Sequence, residues 1–332
     1  MFGQTRRFRI GLNLFVWGYC LNIDNIISVS GGKDSTATII LSRALDTENI
    51  YLVFADTGHE HQATYDYIEY LSEFFRLPIR VVRADFSMQI ERKRKKLQAG
   101  SLPGWTDSAI SRALEVLKPT GNPFLDLCLW KGRFPSTKAR FCTQHLKRDP
   151  IIQQVFLPLL DKGKTVWSWQ GVRRDESRAR RYVKEFEEVG GGLFNYRPLA
   201  RWNVDSVFEA HRFMGVKPNP LYKMGMNRVG CMPCVNCSKG ELKSIALRCP
   251  EEVDRVKEWE HIVSLASRRE LSTFFCGLSD PLAGDDDDIH YTTHGIDRMV
   301  EWAKTTRGGR QYDLMSAADG VSECSSAYGL CE

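Results

Sequence analysis

The sequence predicts an α/β protein: a doubly wound, mostly parallel sheet with a helical C-terminal extension. Three observations carry that expectation. Short apolar runs at Ile26 to Ser30, Ile50 to Ala55 and Ile79 to Val82 alternate with stretches of helical periodicity. A glycine pair, Gly31-Gly32, breaks the first run just where a helical pattern begins. The 332 residues, 42% hydrophobic and 26% charged, suffice for a full core and an appendage.

Residues 1–24 read as an N-terminal extension. Arg6, Arg7 and Arg9 precede an apolar stretch that imitates a signal peptide, but Gly, Asn and Trp interrupt it and no small-residue cleavage site follows. A cytoplasmic protein is the expectation, with no run long enough for a bilayer helix. The first strand then opens a nucleotide-binding α/β region over residues 25–240. Asp34 or Ser35 would cap the following helix, whose face is Ala37, Ile40, Leu41, Ala44 and Leu45. The run Ile50 to Ala55 is apolar throughout, as in a parallel strand covered on both faces. A helix from about Thr64 to Phe75 and a strand at Ile79 to Val82 follow. A later strand, Thr165 to Gln170, and a helix from about Val204 to Phe213 extend the layer. Residues 86–140 read as a basic insertion, in which Glu91 to Lys96 form a solvated helix face. Residues 241–332 read as a helical region with a polar tail.

Charge is uneven. The whole chain has 46 Lys and Arg against 41 Asp and Glu, but residues 76–148 hold 16 against 5, a local excess of +11. Such a field suits a polyanion: a nucleotide, a phosphosulfate or a nucleic acid. Ten cysteines are too few to staple a chain of this length. Cys231, Cys234 and Cys237 crowd into seven residues, which points to a metal or cluster site in a reducing compartment.

The turn Ser30-Gly31-Gly32-Lys33-Asp34-Ser35 lies between a strand and a helix. Two glycines let the backbone approach an anion closely, and the helix N-terminus adds partial positive charge. Lys33 supplies a full charge; Ser30, Ser35 and Thr36 supply hydroxyls. The spacing is neither that of the kinase-like phosphate loop nor that of the dinucleotide turn. It is similar, residue for residue, to the SGGKDS loop of the ATP pyrophosphatases (the PP-loop superfamily).

The resemblance widens along the chain. Asp56-Thr57-Gly58-His59-Glu60 with Thr64 resembles the D-T-G segment of the phosphoadenosine phosphosulfate (PAPS) reductase branch. Gly171-Val172-Arg173-Arg174 through Ser177 and Arg180 is similar to its arginine-rich element, and arginine forks match phosphate and sulfate oxygens. Arg197-Pro198-Leu199, Trp202 to Val207, with Ser206 where an aspartate is usual, and Asn219-Pro220-Leu221-Tyr222 continue it to about residue 240. Glu301 to Arg310 resembles a phage and prophage subgroup. The resemblance implies a Rossmann-like, adenine nucleotide alpha hydrolase-like fold. It also implies a nucleotide site at Ser30 to Thr36, Asp56, Thr57, Gly58, Arg173, Arg174, Ser177 and Arg180.

In the family, cysteines near Cys142 join a later C-x-x-C to hold a [4Fe–4S] cluster. Here Phe141 replaces one cysteine of the usual pair, and Cys237 compensates, so the implied ligands are Cys142, Cys231, Cys234 and Cys237. Zinc remains the alternative metal, with His145 a further candidate ligand. Cys20, Cys128, Cys249 and Cys276 read as structural. Near the C-terminus Cys324 and Cys331 are candidate catalytic thiols, although the family's E-C-G-x-H motif is only partly present.

Two enzymatic readings stay open. ATP would be cleaved at the α-phosphate, with Lys33 stabilising pyrophosphate and Asp34 positioning Mg²⁺. Sulfur transfer would follow, with a cysteine desulfurase-like partner and a nucleic acid docked on the basic segment. Alternatively, PAPS or adenylyl sulfate would be reduced to sulfite with a thioredoxin-like partner. A non-catalytic nucleotide-binding regulator is a third class.

Overall fold

The computed structural model describes residues 23–275 and 290–306. Cys324 and Cys331, like Cys20 and Cys276, lie outside the described residues. Six strands form one sheet: β1 Ile23–Val29, β2 Ile50–Asp56, β3 Ile79–Arg83, β4 Thr165–Trp169, β5 Phe186–Gly190 and β6 Leu193–Tyr196. Their spatial order is β3-β2-β1-β4-β6-β5. All neighbours are parallel except the β5–β6 hairpin. The chain leaves β1 towards β2 and β3 and later returns to the other side at β4. The crevice between the ends of β1 and β4 is therefore a topological switch point, where open α/β sheets bind ligands.

Successive residues of β1 point to opposite faces. Ile27 and Val29 pack with Leu52, Phe54 and Ile39 under helices α1, Lys33–Ala44, and α2, Gln62–Phe75. Ile26 packs with Val53, Val82, Val155 and Phe156 on the other face. That face is covered by the helical run 143–160, in which π-helical turns at Thr143–Arg148 and Ile152–Phe156 alternate with α-turns. The helix Val204–Met214 packs on α1 through Val207, Ala37 and Leu41.

The basic segment 86–140 is helical: α3 Ser87–Gln98, α4 Asp107–Val116 and α5 Pro123–Lys131. It shares one core with the C-terminal helices Lys239–Arg248, Pro250–Leu265 and Ile296–Lys304. Phe124, Leu129, Trp259, Phe274 and Val300 meet there. No helix among the described residues is long and apolar enough to cross a membrane.

Several local expectations change. Helix α1 begins at Lys33 with Gly32 as its N-cap, and no side chain caps it. The hydroxyls of Ser35 and Thr36 fold back onto the Gly32 carbonyl instead, at 3.0 Å each. The β5–β6 hairpin has no counterpart in the hydrophobic pattern, because β5 is solvent-facing. Its turn is made by Gly190, Gly191 and Gly192, all at positive φ, where a glycine costs least. The Glu91 to Lys96 run is not uniformly solvated. Lys93 Nζ donates to the carbonyls of Leu129 and Ala266, and Arg94 donates to those of Leu114 and Leu117. These carbonyls lie at the C-terminal ends of helices, where a cation is favourably placed.

Candidate functional site

The loop Ser30–Ser35 is pre-shaped by its own side chains. Ser30 Oγ and Ser35 Oγ lie 3.2 Å apart, and Gly32 N donates to Ser30 Oγ at 3.2 Å. Gly31 has φ +80°, and a Cβ there would sit 2.8 Å from Thr64 Cγ2. Only glycine meets both demands. Distant residues brace the loop. Lys33 N donates to the Tyr222 hydroxyl at 2.8 Å, Asn219 Nδ2 reaches the Gly31 carbonyl at 3.3 Å, and His211 Nε2 lies 2.9 Å from the Lys33 carbonyl. Burial lowers the His211 pKa, so the ring is a neutral donor to that carbonyl.

In front of the loop lies a cleft of about 190 Å³ lined by Lys33, Asp34, Arg173, Arg180, Tyr222 and Arg228, among others. Its charges interlock. Asp34 pairs with Lys33 Nζ at 3.1 Å and with Arg173 Nε at 2.6 Å. Arg173 also takes Asp175 in a fork, at 2.6 and 2.8 Å. Arg180 pairs with Glu176, and Ser177 Oγ accepts from Arg180 N. Arg174 turns instead to the Val183 carbonyl. The arginine cluster therefore divides into two cleft residues, Arg173 and Arg180, and one residue that pins the following loop. Behind it, Gly171 touches the phosphate loop directly: a Cβ would lie 2.9 Å from the Asp34 carbonyl carbon.

Asp56, at the end of β2, accepts from Gly58 N and the Tyr65 hydroxyl and pairs with Arg83 at 2.8 Å. Thr57 gives both its N–H and its hydroxyl to Glu60, at 3.1 and 2.7 Å. Gly58 has φ +73° and faces Asn122, the N-cap of α5, and Pro123.

The cysteine loop docks on this turn. Glu60 and Cys231 form an isolated antiparallel bridge, and Cys231 Sγ lies 3.6 Å from Thr57 Oγ1 and 3.9 Å from Glu60 Oε1. His59 is clamped between the Pro233 carbonyl at 2.9 Å and Arg255 at 3.1 Å, stacked on Phe124. Burial, aided by Arg255, pulls its pKa down to about 3, so it stays neutral. Cys142, Cys231, Cys234 and Cys237 are all outside disulfides and half-buried. Burial pushes the Cys231 thiol up; Lys147 nearby opposes this, while Glu60, Cys234 and Cys142 add to it. Asn236 N donates to Cys234 Sγ at 3.5 Å.

Among the described residues, one group of three possible ligand atoms lies within 4.8 Å of one another: those of His61, Cys249 and Glu251. It has a structural reading. His61 Nδ1 accepts from Ala63 N as the cap of α2, which leaves the proton on Nε2, 3.9 Å from Glu251. No three of the Cys142, Cys231, Cys234 and Cys237 sulfurs are that close.

Tyr222, Asn219, His211 and Glu60 were not singled out as site residues by sequence. Tyr222, Asn219 and Glu60 lie in segments that resemble the family, but His211 has no sequence signal beyond its helix.

The phosphoadenosine phosphosulfate reductase domain family matches residues 24–237. An uncharacterized 37.8 kDa protein of Escherichia phage 186 is 48% identical over 325 residues, 93% of this chain and 96% of that protein. Adenosine 5'-phosphosulfate reductase 2 of Bacillus subtilis is 22% identical over 230 residues, 67% of this chain and 78% of its own. The PAPS reductase of Candida auris, solved as a phosphate complex, aligns with a TM-score of 0.39 at 18% identity, over 63% of this chain and 81% of that one.

Proposed function

Because the chain belongs to the phosphoadenosine phosphosulfate reductase domain family, we propose that it is a PP-loop enzyme that binds ATP at Ser30–Thr36. It transfers adenylate to a substrate for sulfur transfer, and it holds a [4Fe–4S] cluster on Cys142, Cys231, Cys234 and Cys237. One observation carries the reading. Tyr222, Arg228 and Val229 line the phosphate-loop cleft, and Cys231, two residues on, rests against Thr57. The cleft beside Ser30–Ser35 and Cys231 therefore lie together at the C-terminal edge of the sheet.

In this reading a substrate oxygen attacks the α-phosphorus, the bond to the bridging oxygen breaks, and pyrophosphate leaves. Lys33 and the N-terminus of α1 offset the charge that develops on it. Asp34 positions both Lys33 and Arg173, and Arg180 borders the same cleft. Asp56, Thr57 and Gly58 shape the turn beside the nucleotide. Mg²⁺, when bound with ATP, supplies further charge neutralisation.

Thiolates suit both zinc and an iron–sulfur cluster, and the resemblance to the adenylyl-sulfate reductases favours the cluster. When bound, the cluster supplies iron and sulfide for sulfur or electron transfer.

A second reading, reduction of PAPS or adenylyl sulfate through Cys324 or Cys331 with a thioredoxin-like partner, draws on the similarity to the Bacillus subtilis reductase. One experiment separates the two. The anaerobically purified chain is incubated with ATP or PAPS and the products are resolved by chromatography. AMP or adenylate with pyrophosphate, reduced about 10²–10³-fold in Lys33→Ala, supports the first reading. Sulfite from PAPS with reduced thioredoxin added as the electron donor, lost in Cys324→Ser or Cys331→Ser, supports the second. A colourless protein with stoichiometric zinc overturns the cluster.

A further inference from the structure

A second cleft, of about 510 Å³, lies among the helices of the basic segment and shares no lining residue with the phosphate-loop cleft. Arg92, Lys96, Lys131 and Arg268 surround it, and no acidic residue lines it. Among the described residues none of these four cations pairs with a carboxylate. The nearby Glu91 turns to Arg94 and Lys95 instead. Burial and the neighbouring Arg133 lower the Lys131 pKa, as expected where cations crowd without an anion.

The cleft also has two indoles. Trp105 and Trp130 are half-buried in its wall. Lys131 Nζ sits 3.8 Å from the Trp130 ring, so charge and aromatic face are presented together. The wall continues to the thiols: Trp130 packs against His145 at 5.3 Å, and Lys131 and Arg133 lie over Phe141, the residue before Cys142.

We infer that this cleft docks single-stranded nucleic acid, with a base on the indoles and phosphates on Arg92, Lys96, Lys131 and Arg268. Unstacked bases are needed to reach half-buried rings, and a duplex offers none. The inference names the acceptor class for the proposed sulfur-transfer reading and rests on it for the purpose of docking.

The test is anisotropy of fluorescein-labelled single strands of roughly 15 nucleotides with the full chain and no ATP. It reads docking whether or not pyrophosphate is ever released. The expected result is salt-dependent binding that weakens at least about ten-fold in the exposed double variant Lys96→Glu/Arg268→Glu. The salt slope should fall by about one for each phosphate no longer bound. Trp105→Ala should weaken binding about five-fold or more with its slope unchanged. Unchanged affinity in the double variant overturns the inference, as does tighter binding to duplex. Equal competition by polyglutamate, which would indicate an acidic protein partner, or by AMP alone, also overturns it. The double variant changes exposed positions, so it still decides the matter if Trp105→Ala fails to fold. Docking without ATP cleavage would sink the adenylation reading alone.

Discussion

A methyl group on residue 171 would sit 2.9 Å from the Asp34 carbonyl carbon and 3.0 Å from Ser35 N, both backbone atoms. Backbone cannot swing aside as a side chain can, so Gly171→Ala must push β4's exit away from the phosphate loop. The expected cost is about 1–3 kcal/mol in denaturant unfolding, with weaker ATP binding by calorimetry. Unchanged affinity would show that the close approach does not shape the loop. The loop residues Ser30 to Thr36 were legible as a site because their geometry is local: glycines, a lysine and hydroxyls within seven positions. Their supports were not. Arg173 reads by sequence as a fork for a ligand, and its side chain also ties Asp34 to Asp175. Lys33 reads as a charge, but its amide is held by a hydroxyl 189 residues away.

At the scale of elements, Glu260 joins three segments. From the helix Pro250–Leu265 it accepts from Phe274 N at 2.7 Å and from Ile296 N, at the start of the last helix, at 2.8 Å. Burial raises its pKa to about 7 from 4.5. The folded state therefore holds a proton between those values that the unfolded chain has lost. Stability from this group is present below 4.5 and is lost as pH rises through 7. The stability advantage of the wild type over Glu260→Gln, measured by denaturant midpoints at pH 5 and pH 8, should shrink at the higher pH. An advantage that grows with pH would contradict this. Strands and helices that bury a face were legible from period alone. The solvent-facing β5 was not, and neither were the inward turns of Lys93 and Arg94, because a charged residue looks the same in sequence whether it caps a helix or faces water.

For the molecule as a whole, a boundary near residue 240 separates segments that share one core. Phe124 and Leu129 of the basic segment pack with Trp259, Phe274 and Val300. A chain ending at residue 240 should bind a hydrophobic dye and lose cooperative unfolding, while the full chain unfolds in one transition. A soluble, cooperatively folding truncation would contradict this and favour two independent units. The sequence by itself determined the parallel α/β layer, the glycine turn that ends its first strand and the clustering of the thiols. Each is written in short-range spacing, through side-chain period, glycine placement and cysteine density. Only the tertiary structure decided that the cysteine loop seats on the Thr57 turn, that Tyr222 and His211 brace the phosphate loop, and that four cations face two indoles in a second cleft. Those arrangements depend on contacts between residues up to 189 positions apart. Burial and pairing across such distances leave no periodic mark in a single chain.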